Sequence, residues 1–237
     1  MIKYLKGLFN YYKPPDDYIP DNMSQPPNIF KHNFNKNFII SNTQFEYEEL
    51  SVQDFLANKN SFLADFETTV GSAAQIIHAA ALNYKINPKL LLIALERENG
   101  YISLQYAPPL CEIDWAMNIG WSEKFGGIAT YEGFEKQVHI VAKEYRRWYN
   151  HCSQYNKSNK ELMCSDDSVV PVNNATYSLY KVCPYVGDYH VYQKKPVKDG
   201  DGKIITTTIS LQHKVPFGNY LSYLLWKKWW PKDFKGE

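Results

Sequence analysis

No stretch of this sequence stays apolar long enough to cross a bilayer. The N-terminal run MIKYLKGLFNYYKPPDD is interrupted by Lys3 and Lys6 and stopped by Lys13, Pro14 and Pro15. It offers no secretory core of normal length, and no cleavage site follows. No C-x-x-C pair occurs among Cys111, Cys152, Cys164 and Cys183. Zinc-ribbon and thioredoxin-type chemistry therefore have little basis. Two readings of these cysteines stay open. Cys152 and Cys164 close a short loop in an oxidising compartment, or all four are reduced, partly buried thiols. No single sign of charge dominates: the formal net charge is +1, which lacks the basic field that nucleic-acid binding requires. Arg146-Arg147 and Lys227-Lys228 fall inside helical patterns and read as solvated helix faces. There is no internal repeat, and no metal or nucleotide motif, so no cofactor is expected.

What is present is ample for a folded domain. A chain of 237 residues can bury a sizeable core in one domain, with room for an extension. Hydrophobic residues at 44% and charged residues at 22% are globular values and argue against disorder. Aromatic residues reach 16%, including 19 Tyr and 6 Trp. Part of that excess belongs near the surface, because Tyr and Trp carry polar tips that seek a partner. Sugar-binding clefts use such rings, and so do ordinary cores.

Residues 1–45 read as an extended arm rich in Pro and Asn, with Pro14, Pro15, Pro20, Pro26 and Pro27 and no sustained period. Regular structure begins near Ser51, a good N-cap for a short helix through Val52, Phe55 and Leu56. A second helix is predicted from Ser72 to Tyr84. Pro88 suits the first turn of a third, whose end is signalled by Asn99-Gly100. Residues 101–130 look irregular. A long helix from about Tyr131 to His151 has an apolar face at Phe134, Val138, Val141, Ala142 and Tyr145. Residues 152–172 read as a polar loop, and Ala175–Val182 as a short helix. Tyr189–Gln193 and Ile204–Leu211, with a Gly-Asp turn between them, read as a hairpin. An amphipathic helix from Phe217 to Trp230 ends at Pro231. The expected class is α+β, mainly helical, with one small sheet.

Two carboxylates sit near the end of the Leu-rich helix, Glu96 and Glu98. At roughly 100° per residue, Glu98 lies within ~20° of the mean direction of Leu90 to Leu95, and Glu96 points to nearly the opposite side, near Lys89. Glu96 is then expected to be a solvated acid. Glu98 is an acid on the apolar face at the helix C-terminus. A carboxyl taken out of water prefers its neutral form, and the negative end of the helix dipole acts the same way. Such a group can hand a proton to a glycosidic oxygen. The bland alternative is a Glu simply exposed at a helix end.

The run SAAQIIHAAALNYKINPKLLLIALERENG resembles the catalytic helical hairpin of the lysozyme-like superfamily, including soluble lytic transglycosylases and peptidoglycan N-acetylglucosaminidases. The matching pieces are Ile86-Asn87-Pro88, Leu91-Leu92, Ala94-Leu95 and Glu98-Asn99-Gly100. Asp114-Trp115-Ala116-Met117 with Gly120, Gly133-Phe134 with Gln137 and Ala142, Asn174-Ala175-Thr176, Leu179-Tyr180, Pro184-Tyr185 and Gly218-Asn219-Tyr220 continue the likeness over about residues 51–232. The sequence departs from that branch at Val182-Cys183, where Tyr-Thr is usual, and in a hairpin inserted at about residues 189–212.

The resemblance implies a lysozyme-like fold that cuts peptidoglycan between N-acetylglucosamine and N-acetylmuramic acid, with Glu98 as general acid. Asp114 is the first candidate to stabilise positive charge at the anomeric carbon; equally it is a helix cap. Without it, the substrate's own 2-acetamido group can attack. Tyr180 and Tyr185 are expected to line the cleft, Gln137 to reach an N-acetyl group or be solvated, and Trp115 and Trp121 to stack on sugars or fill the core. Peptidoglycan is the expected partner. With no leader in view, the expected place of synthesis is the cytoplasm and the place of action the cell wall or periplasm, reached by another route. The alternative is a non-catalytic lysozyme-like module of a phage tail or secretion machine, joined through the N-terminal arm.

Overall fold

The computed structural model describes residues 34–122, 126–153, 171–184, 187–198, 200 and 203–234. The first helices, α1 (Asn42–Phe45) and α2 (Val52–Asn58), start at Ser41 and Ser51, whose hydroxyls accept backbone N–H groups of the first turn. A 3-10 turn, Phe62–Ala64, leads into the two-residue ribbon of β1 (Glu67–Thr68) and β2 (Gly71–Ser72). α3 (Ala73–Tyr84) opens with a reciprocal cap: Ser72 accepts the Gln75 N–H at 3.2 Å, and Gln75 accepts the Ser72 N–H at 2.9 Å.

α4 (Pro88–Asn99) is the centre of the molecule. Asn87 caps it by accepting the Lys89 N–H at 3.1 Å, and Pro88 occupies the first turn, where a missing N–H costs nothing. Every residue from Pro88 to Arg97 is buried. Gly100, at φ +71°, ends the helix in the left-handed region. Beyond it lie the short α5 (Leu110–Ile113), a ribbon of β3 (Trp121–Ser122) and β4 (Gly126–Gly127), and the long α6 (Phe134–Ser153). α6 was expected from Tyr131. It starts three residues later because Gly133 sits at φ +115°, which no α-helix accepts, and Ala129–Tyr131 forms a separate 3-10 turn. α7 (Asn174–Val182) packs along α6, and α8 (Phe217–Trp229) packs on α4.

The inserted hairpin is longer than expected. β5 (Gly187–Lys198) pairs antiparallel with β6 (Ile204–Val215), from Gly187 opposite Val215 to Lys198 opposite Ile204. Pro196 is tolerated because each strand of a two-stranded ribbon is an edge strand. The mainly helical α+β class holds, but the described residues form three two-stranded sheets where one was expected. The two additional pairs are only two residues long, too short to leave a periodic signal.

The core also reaches further toward the N-terminus than residue 46. Phe34, Ile39, Ile40 and Phe45 are buried, and the segment is tied to α7: the Ile39 N–H donates to Thr176, and Asn173 donates to the Ile40 carbonyl. Residues 1–33 of the expected arm, and Cys164 with most of the expected polar loop, lie outside the described residues. Among the described residues no helix is long and apolar enough to cross a membrane.

Because α4 is sealed on all sides, truncating it opens a void. Leu92→Ala, at a fully buried position, is expected to cost about 2–5 kcal/mol. Leu82→Ala, at a position 53% exposed on α3, should stay within about 0.5 kcal/mol of wild type. Urea unfolding of both variants checks the contrast; equal losses would mean the helix is not packed as described.

Candidate active site

The last turn of α4 carries Arg97 and Glu98 to the wall of a cavity of about 350 Å³, a size suited to a small ligand. Ala94 and these two residues form one side of it. Met117, Asn118 and Ile119 of the loop after α5 form another, and Val141 of α6 with Val182, Cys183 and Pro184 at the end of α7 closes it. Glu98 is the one carboxylate on this wall among the described residues. Its side chain is 28% exposed. Expected on the apolar face of its helix, it lies at the cavity wall and keeps partial access to water.

It also has a charged neighbour that the sequence reading did not assign. Arg97 is buried, its side chain 6% exposed, and its Nε donates to Glu98 Oε1 at 2.9 Å. Its NH1 donates to Ser222 Oγ on α8 at 3.0 Å, and Ser222 Oγ donates to the Gly218 carbonyl at 2.9 Å. Burial opposes the Arg97 charge, but Cys183, Tyr145 and Glu98 more than offset it and hold the guanidinium above its ordinary pKa. Burial pushes the Tyr145 phenol up, and the same guanidinium pulls it down.

Glu96 reverses its expectation. It is 7% exposed, not solvated, and Lys89 is not its partner. Its carboxylate accepts the N–H groups of Ile102 and Ser103 at 3.0 Å each and the Ser103 hydroxyl at 2.6 Å. The chain past Gly100 folds back over the helix end and presents N–H donors that need an acceptor. Lys89 instead bridges Glu48 and Asp233 at 2.9 Å each, and Asp233 also accepts from Trp226 Nε1.

Gln137 was expected either in water or on an N-acetyl group. It is fully buried, and both ends of its amide are used by the cavity loop. Its oxygen accepts the N–H groups of Met117 and Ile119, and its nitrogen donates to the carbonyls of Ile119 and Tyr131. It organises the loop that walls the cavity. Asn99, next to the acid, ties the same loop to α4 by donating to the Ala116 carbonyl at 2.9 Å.

Asp114 is half-buried at the C-terminal end of α5, and its carbonyl accepts the Gly133 N–H. It is not among the residues lining the Glu98 cavity, nor does it start a helix at Trp115. Trp115 and Trp121 pack together with ring centroids 5.6 Å apart, and Trp121 is 41% exposed. Gly127 lies under Trp115, where any Cβ would collide with the indole. Tyr180 does not line the cavity: its ring is in the core and its hydroxyl donates to the Lys36 carbonyl at 2.8 Å. Tyr185 lies outside the described residues. Cys111 is an exposed thiol, and no group of three or more His, Cys, Asp or Glu comes together among the described residues.

Residues 34–194 match the family model described as LasA, N-terminal domain. No curated protein and no solved structure matches. The matched span contains the acid, Gln137 and the whole described cavity wall, and ends inside β5 before Ser222.

The Gln137 amide makes four backbone hydrogen bonds in a dry environment, so Gln137→Leu strands several polar groups. It is expected to cost about 2 kcal/mol or more and to alter the fluorescence of Trp115 and Trp121. Wild-type unfolding and emission in this variant would contradict the role of loop organiser.

Proposed function

From the premise that the chain belongs to the LasA, N-terminal domain family, we propose that it cleaves the glycan strand of peptidoglycan, with Glu98 as proton donor. The observation that carries this reading is a half-buried carboxyl at a helix C-terminus on the wall of a ligand-sized cavity. The order of motifs from Ser72 to Gly100, which resembles the catalytic hairpin of lysozyme-like enzymes, gives the substrate class. The finer reading of the fold as lysozyme-like rests on the same motifs.

In this mechanism Glu98 protonates the oxygen of a β-1,4 link between N-acetylmuramic acid and N-acetylglucosamine. The bond from that oxygen to the anomeric carbon breaks, and positive charge develops on the carbon. The lining residues offer no second carboxylate among those described, which favours attack by the substrate's 2-acetamido oxygen over direct help from Asp114. Water, or the sugar's own hydroxyl, then resolves the intermediate. A glycan filling the cavity displaces the remaining water from around Glu98. Trp121, exposed on the neighbouring ribbon, offers an apolar face for a further sugar ring. The site of action is then the cell wall.

A second reading has one observation behind it. The guanidinium next to Glu98 suits a carboxylate held as an acceptor, as in a lysozyme-like module that binds glycan without cutting it.

Turbidity loss of purified peptidoglycan separates the two. Glu98→Gln is expected to lower the rate at least about 100-fold, the low end of what a general acid contributes. Equal activity in both proteins removes Glu98 from the mechanism, and no activity in either favours the binding module. Mass spectrometry of the products names the bond through reducing N-acetylglucosamine, reducing muramic or anhydro-muramic ends. The acetamido route further predicts that de-N-acetylated glycan resists cleavage; equal rates on both glycans would assign the stabilising role to a protein group such as Asp114.

A further inference from the structure

A carboxylic acid that donates a proton has two oxygens with different tasks: one carries the proton and the other can only accept. An unrestrained Glu exchanges them freely by rotating its last torsion. Glu98 is restrained. Arg97 Nε contacts Oε1 alone, at 2.9 Å, and Arg97 keeps its proton at any working pH. The guanidinium is itself held from the far side, because its NH1 reaches Ser222 Oγ and Ser222 reaches the Gly218 carbonyl. Arg97 and Ser222 are 7% and 4% exposed, so bulk water competes little for these bonds.

We infer that Arg97, locked by Ser222, is a positioning residue that reserves Glu98 Oε1 as acceptor and leaves Oε2 as the oxygen that carries the proton to the glycosidic bond. This rests on the reading of Glu98 as proton donor. The planar guanidinium converts the place of Ser222 on α8 into an orientation of the carboxyl plane, which a lysine ammonium does not do. The same contact is compatible with the neutral acid, since Nε donates to the carbonyl-type oxygen of a carboxylic acid as well as to a carboxylate. It follows that α8, outside the span that matches the family, completes the active site.

The test uses the full chain and soluble, peptide-stripped glycan strands, with wild type, Glu98→Gln, Ser222→Ala, Arg97→Lys and Arg97→Gly compared. Ser222→Ala is expected to lower kcat roughly 10-fold, and Arg97→Gly roughly 100-fold, as small misplacements of a reacting group do. KM should change less than about twofold, because neither residue is asked to bind substrate. Ethylguanidinium, but not ethylammonium, should restore Arg97→Gly, and Arg97→Lys should remain impaired. Wild-type kcat in Ser222→Ala and Arg97→Lys overturns the inference, and so does a rise in KM at unchanged kcat. If Arg97→Gly does not fold, the kcat of Ser222→Ala decides alone. Glu98→Gln separates the failures: if it retains activity the proton-donor reading falls, whereas a dead Glu98→Gln beside a wild-type Ser222→Ala removes only the positioning role.

Discussion

A helix buried on every side has to find partners for its charges inside the protein, and that constraint organises this molecule. α4 carries Lys89, Glu96 and Arg97 into the interior along with its leucines. An isolated buried charge is far costlier than any single apolar contact is favourable, so each of the three recruits a different part of the chain. Lys89 draws in Glu48 and Asp233 and thereby fixes the C-terminal 3-10 turn, Pro231–Phe234, against the start of the helix. Glu96 draws back the turn at Ile102 and Ser103. Arg97 draws in Ser222 from α8 and Glu98 from its own turn. The acid is thus embedded in the scaffold through the same bonds that make the helix tolerable in the core.

The cavity follows from that arrangement. Its floor is the end of α4. Its near wall is a loop with little regular structure, which is given a fixed shape by the side-chain amides of Gln137 and Asn99. Its far wall ends at Cys183, whose carbonyl accepts from the buried Asn219 of α8 at 2.9 Å. Four separate elements meet there, and the Arg97 guanidinium in the lining is held by the side chains of Glu98 and Ser222. Glu98 keeps an open side toward the cavity, which is the property the proposed chemistry needs.

Helix positions were legible because their signals are local. Ser51 caps its helix as expected, the helix expected from Ser72 forms as Ala73–Tyr84, Pro88 and Gly100 bound α4 as expected, and the apolar face read for α6 is the buried one. The failures share a cause. Glu96 was assigned to water by helical angle, which presumes that a helix has an exposed side. The unbroken apolar run from Leu90 to Leu95 already signalled a helix with none, and with that signal Glu96 and Arg97 become buried charges in need of partners. Gln137 is expected on a ligand or in water, and Tyr180 in the cleft, from the position of polar groups in a motif. Both are consumed by backbone groups brought near by the fold, across 18 residues for Gln137 and Ile119 and 144 for Tyr180 and Lys36, distances at which sequence spacing carries no information.

The central claim is that a glycan occupies the cavity with its scissile oxygen at residue 98. A crystal structure of Glu98→Gln soaked with an N-acetylglucosamine tetramer tests it directly. The account predicts sugar density in the cavity, with a glycosidic oxygen within about 3.2 Å of the substituted side chain and the Arg97–Ser222 bond intact. A tetramer bound elsewhere on the surface, with the cavity closed or holding only water, would contradict it.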